Sequence, residues 1–272
     1  MIGRATRRFE RRLPWPAMLL AAVAVVFFAL PLAGLISRAP WSKAGSILRS
    51  ASVREALRLS VVCSLCATVL SVLFGLPLAW VLARRRFVGR SVVRALCTLS
   101  MVLPPVVGGV ALLFALGRRG LAGQWLDRWF GVQLPFTSAG VVVAQTFVAM
   151  PFFVVTVEAA LRQADVGHDE AARTLGASSW YSFRRVTLPA IRSALVAGAV
   201  LSWARAFGEF GATIMFAGSF PGRTQTLPLS VYLSLDTDPQ KAIVIALLMV
   251  AVSFAVLVAL RDRWLGGGEQ AR

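Results

Sequence analysis

Five stretches of this chain, 17–37, 59–83, 95–117, 137–157 and 242–260, contain no charged residue at all. Each reaches the roughly 17 to 25 helical residues that a bilayer core demands. Inside lipid every backbone amide must find its partner within the protein, which leaves helices and closed barrels as the only spanning structures. With 57% of its residues apolar and gathered into such runs, the chain reads as an all-helical membrane protein rather than a water-facing globule. A sixth stretch, 193–220, is long enough but contains Arg205 and Glu209, and we count it as a span. The expectation is one transmembrane domain of six helices over residues 1–272.

Arginine placement sets the orientation. If both termini lie inside, the inner segments hold eighteen of the 29 Lys and Arg residues: Arg4, Arg7, Arg8, Arg11 and Arg12, then the groups at 84–94, 162–192 and 261–272. The outer loops hold ten, and Arg205 lies within the membrane. Basic residues accumulate on the cytoplasmic side of short loops, so both termini and the segment 162–192 are expected there. The formal charge of +17 would suggest nucleic acid in a soluble protein. Here it flanks span ends, where it fixes topology and meets anionic lipid, and no nucleic-acid recognition motif accompanies it.

The basic N-terminus followed by an apolar run has the outline of a signal peptide. That run is too long for one, and Ser37-Arg38-Ala39-Pro40 offers no small-x-small cleavage site, so it is expected to stay as a span. Cys63, Cys66 and Cys97 lie in apolar segments with no further ligand nearby, which makes them packing residues, and the lone His168 suits a cap or solvent. The outer loops 38–58, 118–136 and 221–241 are too short to form a folded domain. No Gly-x4-Gly-Lys-Ser/Thr run is present, so the chain carries no phosphate-cradling loop of its own.

Proline and glycine interrupt the spans at Pro31, Gly75 with Pro77, Leu103 to Gly109, and Pro151. Pro151 reads as a simple kink. In Leu103-Pro104-Pro105-Val106-Val107-Gly108-Gly109 the choice lies between a kink and local unwinding, tolerated at membrane depth only beside protein or a water-filled cavity.

The long polar stretch 162–192 describes a small helix-turn-helix. His168-Asp169 can cap a helix over Glu170 to Leu175, with Glu170 near its positive end. Gly176 supplies a left-handed stop. Ser178 or Ser179 can cap a second helix carrying Trp180, Phe183 and Val186 until Pro189 ends it. Such a knuckle suits either a groove on a partner or the headgroup layer.

In 193–220, Ser202, Arg205, Glu209 and Thr213 recur at three- or four-residue intervals and share a helix face, beside a small-residue row of Ala204, Gly208 and Ala212. Trp203, Phe207, Phe210 and Ile214 form the bulky side. At about 1.5 Å per residue Arg205 lies roughly 18 Å in from Ser193. A charge at that depth costs at least about 2.5 to 3.5 kcal/mol, so Arg205 and Glu209 should face protein or water. Two readings stand: an ion pair that locks helix packing, and a gate on an anion path in which Glu209 holds Arg205 and tempers its attraction for the cargo.

Glu170-Ala171-Ala172, three residues, Gly176, nine residues, Val186, one residue, then Leu188-Pro189 resembles the signature of the type I ABC importer permeases. The stretch Ala204 to Thr213 is similar to the oxyanion branch of that family, which serves molybdate, tungstate, sulfate and thiosulfate. Leu103 to Gly109 and Pro221 to Leu229 look most like its molybdate member. The likeness runs from about Glu55 to Leu260. It departs in the Pro221 loop, where the family leads one to expect an acidic and then a basic residue and this chain has Arg223 and Gln225, which weakens the carry-over of the outer contact with a binding protein but not of the fold.

The resemblance implies that Glu170, Ala171, Ala172, Gly176, Leu188 and Pro189 dock a cytoplasmic ATPase dimer, which uses ATP and Mg; no cofactor and no catalytic or metal site is expected in this chain. It implies a homodimer in a bacterial inner membrane, supplied with molybdate or tungstate by a periplasmic or lipid-anchored binding protein, with sulfate or thiosulfate as the alternative cargo. Ser202, Arg205, Glu209 and Thr213 are the pathway or gate candidates. An intramembrane enzyme would need an acid, base or nucleophile set at depth, and the only acidic residues near the spans are Glu158 and Glu209. A passive structural subunit would leave the Glu170 segment without a purpose.

Overall fold

The structure is a computed structural model, and it describes residues 15–265; the N-terminal arginines and Arg272 used for orientation lie outside the described residues. All regular elements among the described residues are helical. They are α1 (Trp15–Ser37), α2 (Trp41–Leu48), α3 (Ala51–Arg84), α4 (Arg90–Val102), α5 (Pro105–Leu116), α6 (Gly123–Phe130) and α7 (Ser138–Gln163). There follow α8 (Val166–Thr174), α9 (Ser179–Ser182), a π-helical turn (Phe183–Thr187), α10 (Leu188–Ala190), α11 (Arg192–Phe207), α12 (Gly211–Ala217), α13 (Leu227–Thr237) and α14 (Pro239–Leu265).

Four of these, α1, α3, α7 and α14, are long and apolar enough to cross a membrane, and a fifth span results if α9–α10 and α11, bent by 72° at Ile191, are taken together. The expected span 95–117 is not one helix. It divides at Leu103 and Pro104, both extended, because Pro104 and Pro105 donate no backbone hydrogen bond, and the chain restarts with Pro105 in the first turn of α5. The outcome is unwinding rather than a kink, and Gly108 and Gly109 lie inside α5. Pro31, Pro77 and Pro151 each sit within a continuous helix, as a simple kink requires.

The expected span 193–220 is also divided. α11 stops at Phe207, Gly208 caps it, and α12 starts afresh at Gly211. Two glycines of poor helix propensity within four residues, and a carboxylate that takes over a backbone N–H, account for the break. The polar stripe and the small-residue row therefore do not run along one helix: Ser202, Arg205 and Ala204 belong to α11, Thr213 and Ala212 to α12. The loops 38–58, 118–136 and 221–241, expected outside, carry structure of their own, since α2, α6 and α13 fall within them.

α3 and α7 form the central pair. The buried face of α3 is a column of small residues, Ser60, Cys63, Ser64, Ala67, Ser71, Gly75 and Ala79, at three- and four-residue steps. Such a column lets two helices approach without the hydrophobic drive that water would provide. Ser71 donates to the Ala67 carbonyl at 2.7 Å and Ser64 to that of Val61 at 3.1 Å within the helix, while Ser60 Oγ accepts Leu227 N across the bundle at 2.7 Å.

The large ring of Phe153 on α7, fully buried, fills the space left by two glycines. A Cβ on Gly75 would stand 2.8 Å from one ring edge and a Cβ on Gly198 of α11 3.1 Å from the other. Three helices are thus keyed around one aromatic side chain. Around it lie Leu82, Val157, Leu161 and Ile191, while Trp203 stacked on Phe207 at 5.1 Å, with Val53, Leu227 and Ile245, forms a separate cluster. Cys63 packs with Val141 and Ala217. α1 buries none of its residues; it packs against α14, and Trp41 of α2 donates to its Ile36 carbonyl at 3.2 Å.

Candidate functional site

The segment after α7 folds as the helix-turn-helix expected, with its start moved. Asp165 Oδ1 accepts a hydrogen bond from Gly167 N at 2.8 Å and caps α8 at Val166, one turn earlier than Glu170. The expected cap, His168-Asp169, has its side chains outside the described residues, and its backbone is already helical. At the other end Gly176 has φ +86°, Ala177 N donates to the Ala172 carbonyl at 3.0 Å, and Leu175 N donates to that of Ala171 at 3.1 Å. The Ala177–Ala172 bond, which spans five residues, is the six-to-one closure of a Schellman stop, and it needs a left-handed residue at Gly176. Ser178 Oγ then accepts from Tyr181 N at 3.2 Å and caps α9.

The second helix does not end at Pro189. The backbone widens into the π turn Phe183–Thr187, in which Leu188 N donates to the Phe183 carbonyl five residues back, and Pro189 enters the first turn of α10. π turns of this kind sit at functional places in helices. Glu170, Ala171 and Gly176 are exposed and Ala172 half-buried at the tip; Leu188 is half-buried and Pro189 exposed at the base, beside the 72° turn into α11.

Leu175 (89% exposed), Trp180 and Tyr181 stand out from this elbow, and an open hollow of about 580 Å³ is lined by Ala172, Leu175, Gly176, Ala177, Ser178 and Tyr181. So much apolar surface on a polar segment marks a contact face. The face is mechanically tied to the bundle. The Trp180 ring packs against Phe183 at 5.8 Å between centroids, and Phe183 against Trp80 of α3 at 5.1 Å.

Near the same end of α7, Glu158 Oε1 accepts from Arg162 at 2.7 Å and from Arg94 of α4, so this carboxylate is committed to two arginines and clamps α4 to α7.

Within the bundle the two interrupted spans meet. A Cβ on Gly109 of α5 would stand 2.7 Å from Met215 Cβ and 2.8 Å from the Ala212 carbonyl of α12, and one on Gly211 would stand 2.8 Å from Pro105 Cβ. The start of α12 therefore lies on the start of α5, in backbone-to-backbone contact. At this crossing Glu209, 1% exposed, pairs with Arg205 through Oε2 and accepts Ala212 N at 2.8 Å through Oε1. One carboxylate thus holds the end of α11 and the beginning of α12 across the break.

The Arg205 side chain stays partly exposed at the bundle surface. Ser202 and Thr213 are fully buried, and neither hydroxyl has a protein hydrogen-bond partner. Gln145 on α7 shares that condition with both its amide atoms and was not singled out from the sequence, although a lone amide inside a charge-free span was the available signal. Its neighbour one turn on, Ala149, packs with Ala206, one turn on from Ser202.

A helical bundle with an exposed elbow between two of its spans is the architecture of the ABC importer permeases. The chain superposes on a chain of a bacterial ABC transporter that imports the acidic polysaccharide alginate with a TM-score of 0.67, covering 92% of this chain and 93% of that one at 18% identity. Against the MetNI methionine ABC transporter the score is 0.55 at 22% identity, covering 77% and 95%. Residues 71–266 match the family of binding-protein-dependent transport system inner membrane components, and the chain belongs to that family.

Among its relatives are the molybdenum transport system permease protein ModB of Mycobacterium tuberculosis, 45% identical over 92% of this chain and 95% of that protein, and the ModB of Escherichia coli, 38% identical over 78% and 92%. The Escherichia coli sulfate transport system permease protein CysT is 35% identical over 85% and 84%.

Proposed function

We propose that this chain is the membrane permease subunit of an ATP-driven importer for molybdate or tungstate, one domain working by alternating access in a bacterial inner membrane. The observation that carries this reading is the elbow: a capped, glycine-stopped helix-turn-helix with exposed Leu175, Trp180 and Tyr181, wired to α3 through Phe183 and Trp80. ATPase activity lies in a separate subunit. Six spans follow if α4 and α5 form one interrupted crossing and α11 and α12 another, with both termini in the cytoplasm. Two copies form the pathway, each seating Glu170, Ala171, Ala172 and Gly176 on one copy of the ATPase, with Leu188 and Pro189 at the hinge.

When ATP and Mg close the ATPase pair, the two elbows are drawn together and the bundles rock from inward-open to outward-open; hydrolysis resets them. A ligand shifts such an equilibrium only by its differential affinity for the two states, which here is supplied by nucleotide on one side and a loaded periplasmic or lipid-anchored binding protein on the other. Arg205 supplies the positive charge of the anion gate and Glu209 keeps it from trapping a dianion, with Ser202 and Thr213 beside them. Molybdate is preferred over sulfate because the relatives named for molybdenum transport reach higher identity than the one named for sulfate.

The test is reconstitution in proteoliposomes with a candidate ATPase and a candidate oxyanion-binding protein. ATP-dependent molybdate accumulation that excess sulfate does not displace supports the reading. Sulfate uptake with no molybdate uptake moves the chain to the alternative, and ATP hydrolysis without anion entry overturns it.

A further inference from the structure

We infer that α6 is an interfacial anchor, laid flat in the headgroup layer of the leaflet opposite the coupling elbow, with its tryptophan face in lipid and its arginines at the phosphates. This rests on the membrane setting alone and stands whatever the cargo or the ATPase contact. α6 precedes the start of α7 and the elbow follows its end; at about 1.5 Å per residue the 26 residues of α7 separate the two by roughly 39 Å, a membrane's width.

The helix is amphipathic over its whole length. Trp125, Leu126, Trp129 and Phe130 fall on one side, Gln124, Asp127 and Arg128 on the other. Trp129 and Phe130 are 67% and 70% exposed, and the apolar side carries an open groove of about 350 Å³ lined by Ala122, Trp125, Leu126, Trp129 and Phe130. On the polar side Asp127 accepts hydrogen bonds from Gln133 at 3.0 Å and Arg118 at 3.3 Å, and the Gln133 bond, then Arg118, hold its carboxyl below the usual range. Arg128 lies over the Trp125 ring at 5.3 Å, and Arg118 and Arg119 flank the helix.

Two features favour lipid as the occupant. First, the apolar face continues that of α5: Leu121 N donates to the Phe114 carbonyl at 3.1 Å and Ala122 N to that of Ala115 at 2.8 Å, so exposed Leu121 adjoins exposed Phe114 on a helix that packs against α7 and α12. Second, the attitude of α6 is fixed. Added Cβ atoms on Gly117, Gly120 and Gly123 would stand 2.2, 2.6 and 1.9 Å from backbone oxygens, so this turn closes only with glycine and sets α6 rigidly against α5. Tryptophan bodies at the interface, with arginines reaching the phosphates, are the chemistry of that layer.

The experiment uses the full chain with its three cysteines changed to alanine and one fluorophore at Trp129→Cys or, separately, at Arg128→Cys, in vesicles containing phosphatidylglycerol. The label at 129 should be quenched by shallow spin-labelled lipid and shielded from iodide at least about threefold relative to 128, as expected for burial of about 5 to 10 Å. Equal iodide access at both sites overturns the inference, and so does shielding without lipid quenching, which would mean that protein such as a second copy covers the face. If the cysteine-free chain does not fold, the native chain with W125A and W129A serves: it should lose the rise in melting temperature that phosphatidylglycerol gives over phosphatidylcholine, and an unchanged rise overturns the inference.

Discussion

The exposed elbow and the crossing of α5 with α12 both depend on glycine, for opposite reasons. Gly176 in the elbow has nothing within 4 Å of where a Cβ would sit, yet its φ is +86°. Gly109 and Gly211 at the crossing have ordinary backbone angles, yet a Cβ on either would fall under 3 Å from neighbouring atoms. The first glycine is needed for conformation and the others for space. At the elbow glycine sets the course of an exposed turn, while at the crossing it permits a contact inside the chain. A substitution in the elbow should change function with little effect on folding, and one at the crossing should change both.

The largest expected effect tests the crossing. Gly109→Ala in an unencumbered helix would stabilise by about 1 kcal/mol, but here the added methyl meets a backbone carbonyl that cannot give way. Overpacking of this kind costs about 1 to 3 kcal/mol, so thermal unfolding in detergent should show a lower midpoint; a raised midpoint would refute the close contact. Next comes Gly176→Ala, in which left-handed backbone costs about 1 to 2 kcal/mol for a residue with a Cβ. Global melting should stay unchanged while anion uptake falls, and Gly176→Asn should recover part of the loss. If melting falls along with uptake, the elbow is a folding element and the contrast fails.

Glu209→Gln separates gate from clamp. Its Oε1 can still accept Ala212 N, so α12 should keep its start, while Arg205 loses its counter-charge. Folded yield should be near that of the unaltered chain and transport turnover should drop; the reverse pattern favours the ion pair as packing alone. Asp165→Ala should give the smallest effect, removing a cap worth about 1 kcal/mol, visible as faster amide exchange confined to α8.

The elbow was legible in the sequence because its determinants are local. Gly176, Ser178 and the aromatic spacing act within a few residues; the α8 cap was misassigned, to His168-Asp169 instead of Asp165, and Pro189 enters α10 through a π turn rather than ending the second helix. The long spans were legible from charge-free length. The break at Gly208–Phe210 was not, because the three- and four-residue polar spacing continues through it as though the helix did. What interrupts the helix is a carboxylate that bridges the gap, a choice settled by the packing of α12 on α5. That packing joins residues about a hundred apart in the chain, the seating of Phe153 between Gly75 and Gly198 joins residues well separated on both sides, and no periodicity in a single segment reports either. α6 was passed over as loop although Trp125, Leu126, Trp129 and Phe130 already carried helical spacing; eight residues were too few for a span and too short to stand out among turns.

Disulfide trapping between a cysteine placed at Ala172 and cysteines across the facing cleft of the partner ATPase tests the central claim most directly. Cross-links should form in the assembled transporter, change in yield when ATP is added, and block uptake until they are reduced. Full ATP-driven uptake by a complex in which Ala172 stays freely reactive to aqueous maleimide and never cross-links would contradict the account.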